Sequence, residues 1–521
     1  DQIGAIQDDG IETLSTAQFA AMETADFALF SKKQIASIST ENFNALTTAQ
    51  IEALTTAQAG YITAEQLGAM STAQIEALTT ASVAALATDT VAALPSKTLQ
   101  ALTTGQLGAL TTDQIEALTV KQVGYLTTAQ IAGLDTADLN ALTTAQMAAL
   151  TEKQVQALTT AQVSSLTTDD LTALTSKQLN AMTTEAVASL TTAQIEALTT
   201  EQFAKLDVEQ ISAMTTAQVA AIETADIQAL TDKQVAEFST ATVVALTSDQ
   251  VAALTTKQIA KMTTAQIAAI ETGDIAAMST ATLSAIPVKS LVALDTAQLA
   301  ALGSDQIQAL TSKQIVALTT DQVAGLGTDD LNALTTEQIS KLTDKQIGAL
   351  TTGQVASLTT EDLTALSSKQ IVALSTDSIV ALTTGQAAAL TTAQVAKLTE
   401  EQLAAIETAD VAALTTDAVA SISDRSIDAL TTAQLAALGS DQIQALTSKQ
   451  ITGLTTDQVA GLGTDDLNAF TTEQIAKLDA KQVAALTTAQ VSSMTTEDLT
   501  ALTSKQIVAL STDAIAALTT A

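Results

Sequence analysis

Leu46-Thr47-Thr48-Ala49-Gln50-Ile51-Glu52-Ala53 is the eight-residue unit repeated along this chain. Labelled a to h, it places large apolar residues at a and f, threonine at b and glutamine at e. Thr47 and Gln50 have the spacing of a capping box. The hydroxyl accepts from the amide at e, and the Gln side chain reaches back to the amide at b. Leu46 and Ile51 then stand at N′ and N4, the positions of a hydrophobic staple. Residues c to h are mostly good helix formers. The octad therefore predicts one helix of about a turn and a half, restarted by the next Thr-Thr.

The phrase recurs without insertion or deletion through Leu518, about 65 times in 521 residues. Its substitutions keep the same logic. Asp135, Asp207, Asp295, Asp479, Gly303 and Gly327 fall at b and are all acceptable N-caps. Pro95 and Pro287 also fall at b, where they stop the preceding helix. Position a is Leu, Ile, Met or Phe, and f is a large apolar residue except at Ala59 and Ala387. Phe19, Phe27, Phe30 and Phe43 occupy a or f and are expected in the core. Gly60 and Gly124 precede Tyr61 and Tyr125, which suggests room made for a ring in place of alanine.

Two other architectures fail. In one continuous helix eight residues turn about 800°, so the apolar stripe drifts by about 80° per octad and forms no seam. A β-solenoid needs β-branched alternation, and Ala and Gln at d and e are poor strand residues. Helices this short are marginal alone, so they must be stabilised by octads one superhelical turn away. The expectation is an all-α solenoid, one helix per octad, running as a single unit over residues 1–521.

The charges set the number of octads per turn. Position d carries Lys97, Lys121, Lys153, Lys177, Lys233, Lys257, Lys289, Lys313, Lys345, Lys369, Arg425, Lys449, Lys481 and Lys505. From Lys97 to Lys505 is 408 residues in fifteen steps, about 27.2 residues or about 3.4 octads each. Lys205, Lys261, Lys341, Lys397 and Lys477 at h fit the same period. Asp138, Asp170, Asp226, Asp274, Asp330, Asp362, Asp410, Asp466 and Asp498 at e fall half to three-quarters of a turn away. The expectation is a basic stripe and an acidic stripe on different sides, available for lateral contact between neighbouring rods. The segment from Leu302 is nearly repeated from Leu438, so duplication explains part of this regularity, but not the 24/32 alternation within it. With layers roughly 8–10 Å apart, about 19 turns give a rod roughly 150–190 Å long. Three or four short edges enclose only side chains, so the centre is expected to be filled.

The composition limits function. There is no His, Cys or Trp, which removes most transition-metal sites, thiol nucleophiles and His-containing triads. No catalytic residue, cofactor or metal is expected. A formal charge of −35 disfavours nucleic acid and anionic membrane, and Thr and Gln in every octad leave no run of 18 apolar residues for insertion. The Thr-Thr pairs read as caps rather than an ice-binding ladder. Asp-rich octads such as that around Asp329 lack an EF-hand loop or the glycine-rich calcium nonapeptide. Asp1-Gln2 and Thr519-Thr520-Ala521 are partial capping boxes, so a longer array or head-to-tail stacking is expected.

The Ala/Thr/Gln-rich octads, along the whole chain, resemble repeat regions of very large secreted or surface proteins of bacteria, including adhesin-like exoproteins. The resemblance implies an extracellular or cell-surface role and carries over no catalytic residue. The function expected is a structural rod or filament that associates with itself and with other cell-surface components. The alternatives are a stalk projecting an adhesive domain, or an ice- or ligand-binding solenoid.

Overall fold

A computed structural model describes residues 6–518; the partial octads Asp1-Gln2 and Thr519–Ala521 lie outside them. The chain forms two compact units, Asp1–Met262 and Thr263–Ala521. Each is an α-solenoid built from helices of four to six residues, 63 α-helices among the described residues.

The local rule is the predicted one. In the octad of Leu46 the N-cap Thr47 is extended, its hydroxyl accepts from the Gln50 amide, and Thr48–Glu52 is helical. Where the next a residue ends a helix it is extended as well, as Leu134 is after Thr128–Gly133. Two extended residues thus reset each helix, and no described residue has positive φ. This explains why the chain restarts so often without glycine C-caps, the usual left-handed device.

Large side chains at a and f point inward and fill each unit's centre. Ile131, Leu171, Phe203, Phe19, Phe27 and Phe43 are fully buried, and Phe30 nearly so. Each contributes roughly 1.5–3 kcal/mol relative to exposure. Helices three octads apart stack: Thr128–Gly133 on Thr104–Leu107 in the first unit, and Thr360–Ala365 on Thr336–Lys341 in the second.

The glutamine at e does more than cap. Gln130 Oε1 accepts from the Thr127 amide at 2.8 Å, and Gln130's own amide donates to Thr127 Oγ1 at 3.1 Å. Its Nε2 donates to the carbonyls of Leu99 and Leu102, 31 and 28 residues earlier, at 2.7 and 2.8 Å. Those carbonyls lie at the end of Ser96–Ala101, where an α-helix leaves acceptors without partners. One buried side chain therefore closes the start of its own helix and the end of a helix in the layer below. The pattern recurs at Gln66, Gln162, Gln258, Gln394 and Gln482. The stacked helices lie three octads apart, and these bonds reach 28 and 31 residues back. Shorter residues at e reach less far: Asn42 donates only to Leu14 O and Ser82 only to Leu54 O.

Departures from the octad are compensated locally. Pro95 and Pro287 have no amide for a glutamine to cap, and their e residues are Thr98 and Ser290. The Arg425 octad forms a turn and a 3₁₀ helix, Ile427–Ala429, instead of an α-helix. There Ser423 Oγ accepts from Arg425 one residue too early for a capping box. Gly453 fits against this turn, where a Cβ would stand 2.9 Å from Asp424 O. Gly60 follows the same logic: its Cβ would stand 3.0 Å from Ala85 O in the next layer. That glycine makes room for backbone, not for the Tyr61 ring, which is exposed.

Candidate functional surface

Position d is the second residue of each helix, opposite the buried a and f side chains, and it faces solvent. All fifteen basic residues at d are exposed, Lys33 and the fourteen from Lys97 to Lys505, as are the five lysines at h. The structure brings the basic residues together within each unit. Lys153 and Lys177 lie on the stacked helices Glu152–Gln156 and Ser176–Asn180, and Lys345 and Lys369 on Asp344–Gly348 and Ser368–Ala373. Glu152, Asp232, Asp344 and Asp424 directly precede basic residues, yet among the described residues the one ion pair is Lys449 with Asp424, at 3.8 Å.

The aspartates at e are not a surface stripe. Asp138, Asp170, Asp226, Asp274, Asp362, Asp410 and Asp498 are buried, and Asp330 and Asp466 are half-buried. The cause is that e is the inter-layer position, so Asp there replaces the bridging Gln with a side chain one methylene shorter. Several are satisfied locally: Thr167 and Thr359 hydroxyls donate to Asp170 and Asp362 at 2.6 Å, and the Gly463 amide donates to Asp466 at 3.0 Å. Asp138 and Asp410 each keep one buried carboxylate oxygen without a partner. Burial, and then the neighbouring Asp135 charge, push the Asp138 carboxyl up to about 6. Burial also raises Asp226, opposed by a hydrogen bond from Thr200.

This fixes a sign. Asp138 titrates higher in the fold than in the unfolded chain, so between about pH 6 and its ordinary value of 3.8 the folded state binds the extra proton. Its contribution to stability therefore rises as pH falls through that window and is lost above it. Asp138→Gln, which restores the amide facing the Leu110 and Leu107 carbonyls, is expected to raise the unfolding midpoint at pH 7.5, with the gain shrinking below pH 6. Equal gains at pH 7.5 and pH 4.5 in thermal melts would contradict the assignment.

Exposed carboxylates lie at d, the same helix position as the basic residues. Twenty-five Asp and Glu residues occupy d, and the 23 from Glu41 to Asp513 are all exposed. Folded on the 27.2-residue period, all but Glu41 and Glu209 fall outside the arc of the fourteen basic residues from Lys97 to Lys505, while Lys33 falls among the carboxylates. Their own phase was the signal that could have found them. Asp305 and Asp329 lie on the stacked helices Ser304–Gln308 and Thr328–Ala333. Glu185 and Glu401 are held below the usual range by their own backbone amides and then by Thr183 and Thr399.

Among the described residues seven of the twelve large exposed apolar side chains lie in the octads of basic residues at d; Leu29, Tyr61, Val244, Val380 and Ile515 lie in others. Val120 and Tyr125 flank Lys121, Val288 precedes Lys289, and Val316 and Val372 stand three residues after Lys313 and Lys369; all five are 36–49% exposed. Residues three apart share a helix face, so Lys and Val present one mixed surface. Lys369, Val372, Lys397, Asp344 and Ser368 line an open groove of about 410 Å³. Lys32 Nζ lies 4.3 Å from the centre of the Tyr61 ring and Lys121 Nζ 5.9 Å from that of Tyr125. Among the described residues no three His, Cys, Asp or Glu side chains converge as a metal set, and no helix is long and apolar enough to cross a membrane.

A family model described as the ALTTAQ repeat matches the chain in seventeen segments, beginning at residues 19–56 and ending at 493–521. No curated protein matches it.

Proposed function

Because the chain belongs to the ALTTAQ repeat family, we propose that it is a structural element outside the cell or at its surface, where stacked octads associate end to end or side by side into a fibre, sheath or appendage. It turns over no substrate, and its main partner is itself, with other cell-surface components alongside. The observation that carries this reading is the glutamine ladder. The polar groups that could serve chemistry, Thr at b and Gln at e, are already used in capping and stacking, as Thr127 and Gln130 are. Each octad therefore adds length and repeats its predecessor's outer surface, which serves reach and repetition rather than a single pocket. The net charge of −35 favours protein partners over nucleic acid.

Cryo-electron microscopy of the chain at neutral pH and moderate salt tests the proposal. Filaments or sheets extending well beyond one molecule are expected. Isolated rods of roughly 150–190 Å, the length from stacked layers, would replace it with a stalk that projects a separate adhesive domain.

A further inference from the structure

We infer that the lysine–valine ladder is a lateral docking surface for a second copy of this chain, received on that copy's d-position carboxylates. The inference rests on the reading of the chain as a self-associating structural element and names the contact.

Two independent observations carry it. The first is charge segregation. A chain with 56 acidic and 21 basic residues could pair most of its cations internally, yet one ion pair is formed among the described residues. Lys345 and Lys369, on stacked helices, instead stand in the same column, as do Lys153 and Lys177. Layers roughly 8–10 Å apart are within about one Debye length at physiological salt, so this alignment carries repulsion within the monomer. An external line of negative charge would offset it.

The second is apolar content. A solvated charge stripe has no need of valine, but Val316 and Val372 share faces with Lys313 and Lys369 and remain about 36–43% exposed. Apolar groups inside a charged surround are the anatomy of a protein interface rather than of a purely electrostatic contact. A flexible polyanion would use the lysines and leave the valines wet.

A second copy fits both features. Some of its acidic octads have alanine three positions after the d carboxylate, as Ala324 after Asp321 and Ala404 after Glu401, which gives valine a low floor, while others carry a polar side chain there, as Gln308 after Asp305 and Asn332 after Asp329. Both copies share one rise per turn, so once one lysine meets a carboxylate, the following layers meet theirs in step. Carboxylates outnumber basic residues at d by 25 to 15, so each copy can receive a neighbour while presenting its own ladder to another.

Reciprocal charge reversal in the full chain tests this. One variant carries Lys289→Glu, Lys313→Glu, Lys345→Glu and Lys369→Glu; the other carries Asp305→Lys, Asp329→Lys, Glu337→Lys and Glu361→Lys. All eight positions are exposed, and d accepts both charge types elsewhere in the chain, so far-UV circular dichroism should be unchanged. Sedimentation at low ionic strength is expected to show lateral association of the wild type. Each variant alone should associate at least tenfold more weakly, and the mixed variants should recover. End-to-end filaments in the wild type, with no recovery on mixing, would overturn the lateral contact and leave the structural role standing. A wild type that does not associate in any direction would overturn both.

Discussion

Gln130→Leu is expected to destabilise the layers around it by about 2–5 kcal/mol, although leucine is more apolar and fills a similar volume. Gln130 is 2% exposed; it is the partner of the Thr127 amide and of the Leu102 carbonyl, and a second donor to the Leu99 carbonyl, which also accepts from the Leu102 amide at 3.3 Å. Each buried group left without a partner costs about 1–3 kcal/mol, and the gain from burying leucine offsets only part of that. Gln130→Glu separates the two halves of the role. Its carboxylate can still accept from Thr127 but has no proton for the carbonyls below, so at neutral pH it should be at least as damaging. Hydrogen exchange on the full chain reads the result at the Thr127 amide and its neighbours. Protection unchanged in both variants would mean that the amide bridge is dispensable.

Phe203→Ala is expected to cost about 3–5 kcal/mol, the usual range for emptying a fully buried aromatic site. Phe203 is 0% exposed, at f in Thr200–Lys205, between layers that include Ser176–Asn180 and Thr224–Ala229. In a solenoid each repeat touches mainly its neighbours, so the damage should stay local. Exchange should quicken in those three helices while octads three or more layers away keep their protection. A uniform rise in exchange through the whole unit would contradict nearest-neighbour stacking and point to a global core.

Much of the fold was legible in one octad because its decisive contacts are local. Thr47 and Gln50 are three residues apart, and a capping box needs nothing from the rest of the chain. The layer period was legible too, because solvent-facing d residues repeat with the superhelix. The second half of the glutamine's work was not legible. Its amide reaches backbone carbonyls 28 and 31 residues away, and a carbonyl leaves no mark in the sequence. The error over the e aspartates has the same origin. A residue that spans layers must be buried, so Asp138 and its counterparts could not form a surface stripe, whereas Asp305 and Asp329 at d could. The mixed character of the basic face was also hidden, because Val316 and Val372 are ordinary helix residues until their exposure is known.

The most direct measurement of the account is disulfide formation between adjacent layers. The chain has no cysteine of its own, so engineered pairs report without background. A Cβ on Gly133 would stand 3.0 Å from Thr104 Cβ, across 29 residues, close to the separation of about 3.5–4.5 Å that a disulfide needs. Thr104→Cys with Gly133→Cys is expected to oxidise rapidly to an intramolecular disulfide, seen as a loss of two hydrogens in the intact mass. Thr104→Cys with Ala141→Cys, one octad further along, should remain reduced under the same conditions. Equal oxidation of both pairs, or preference for the second, would contradict the stacking of octads at three to four per turn.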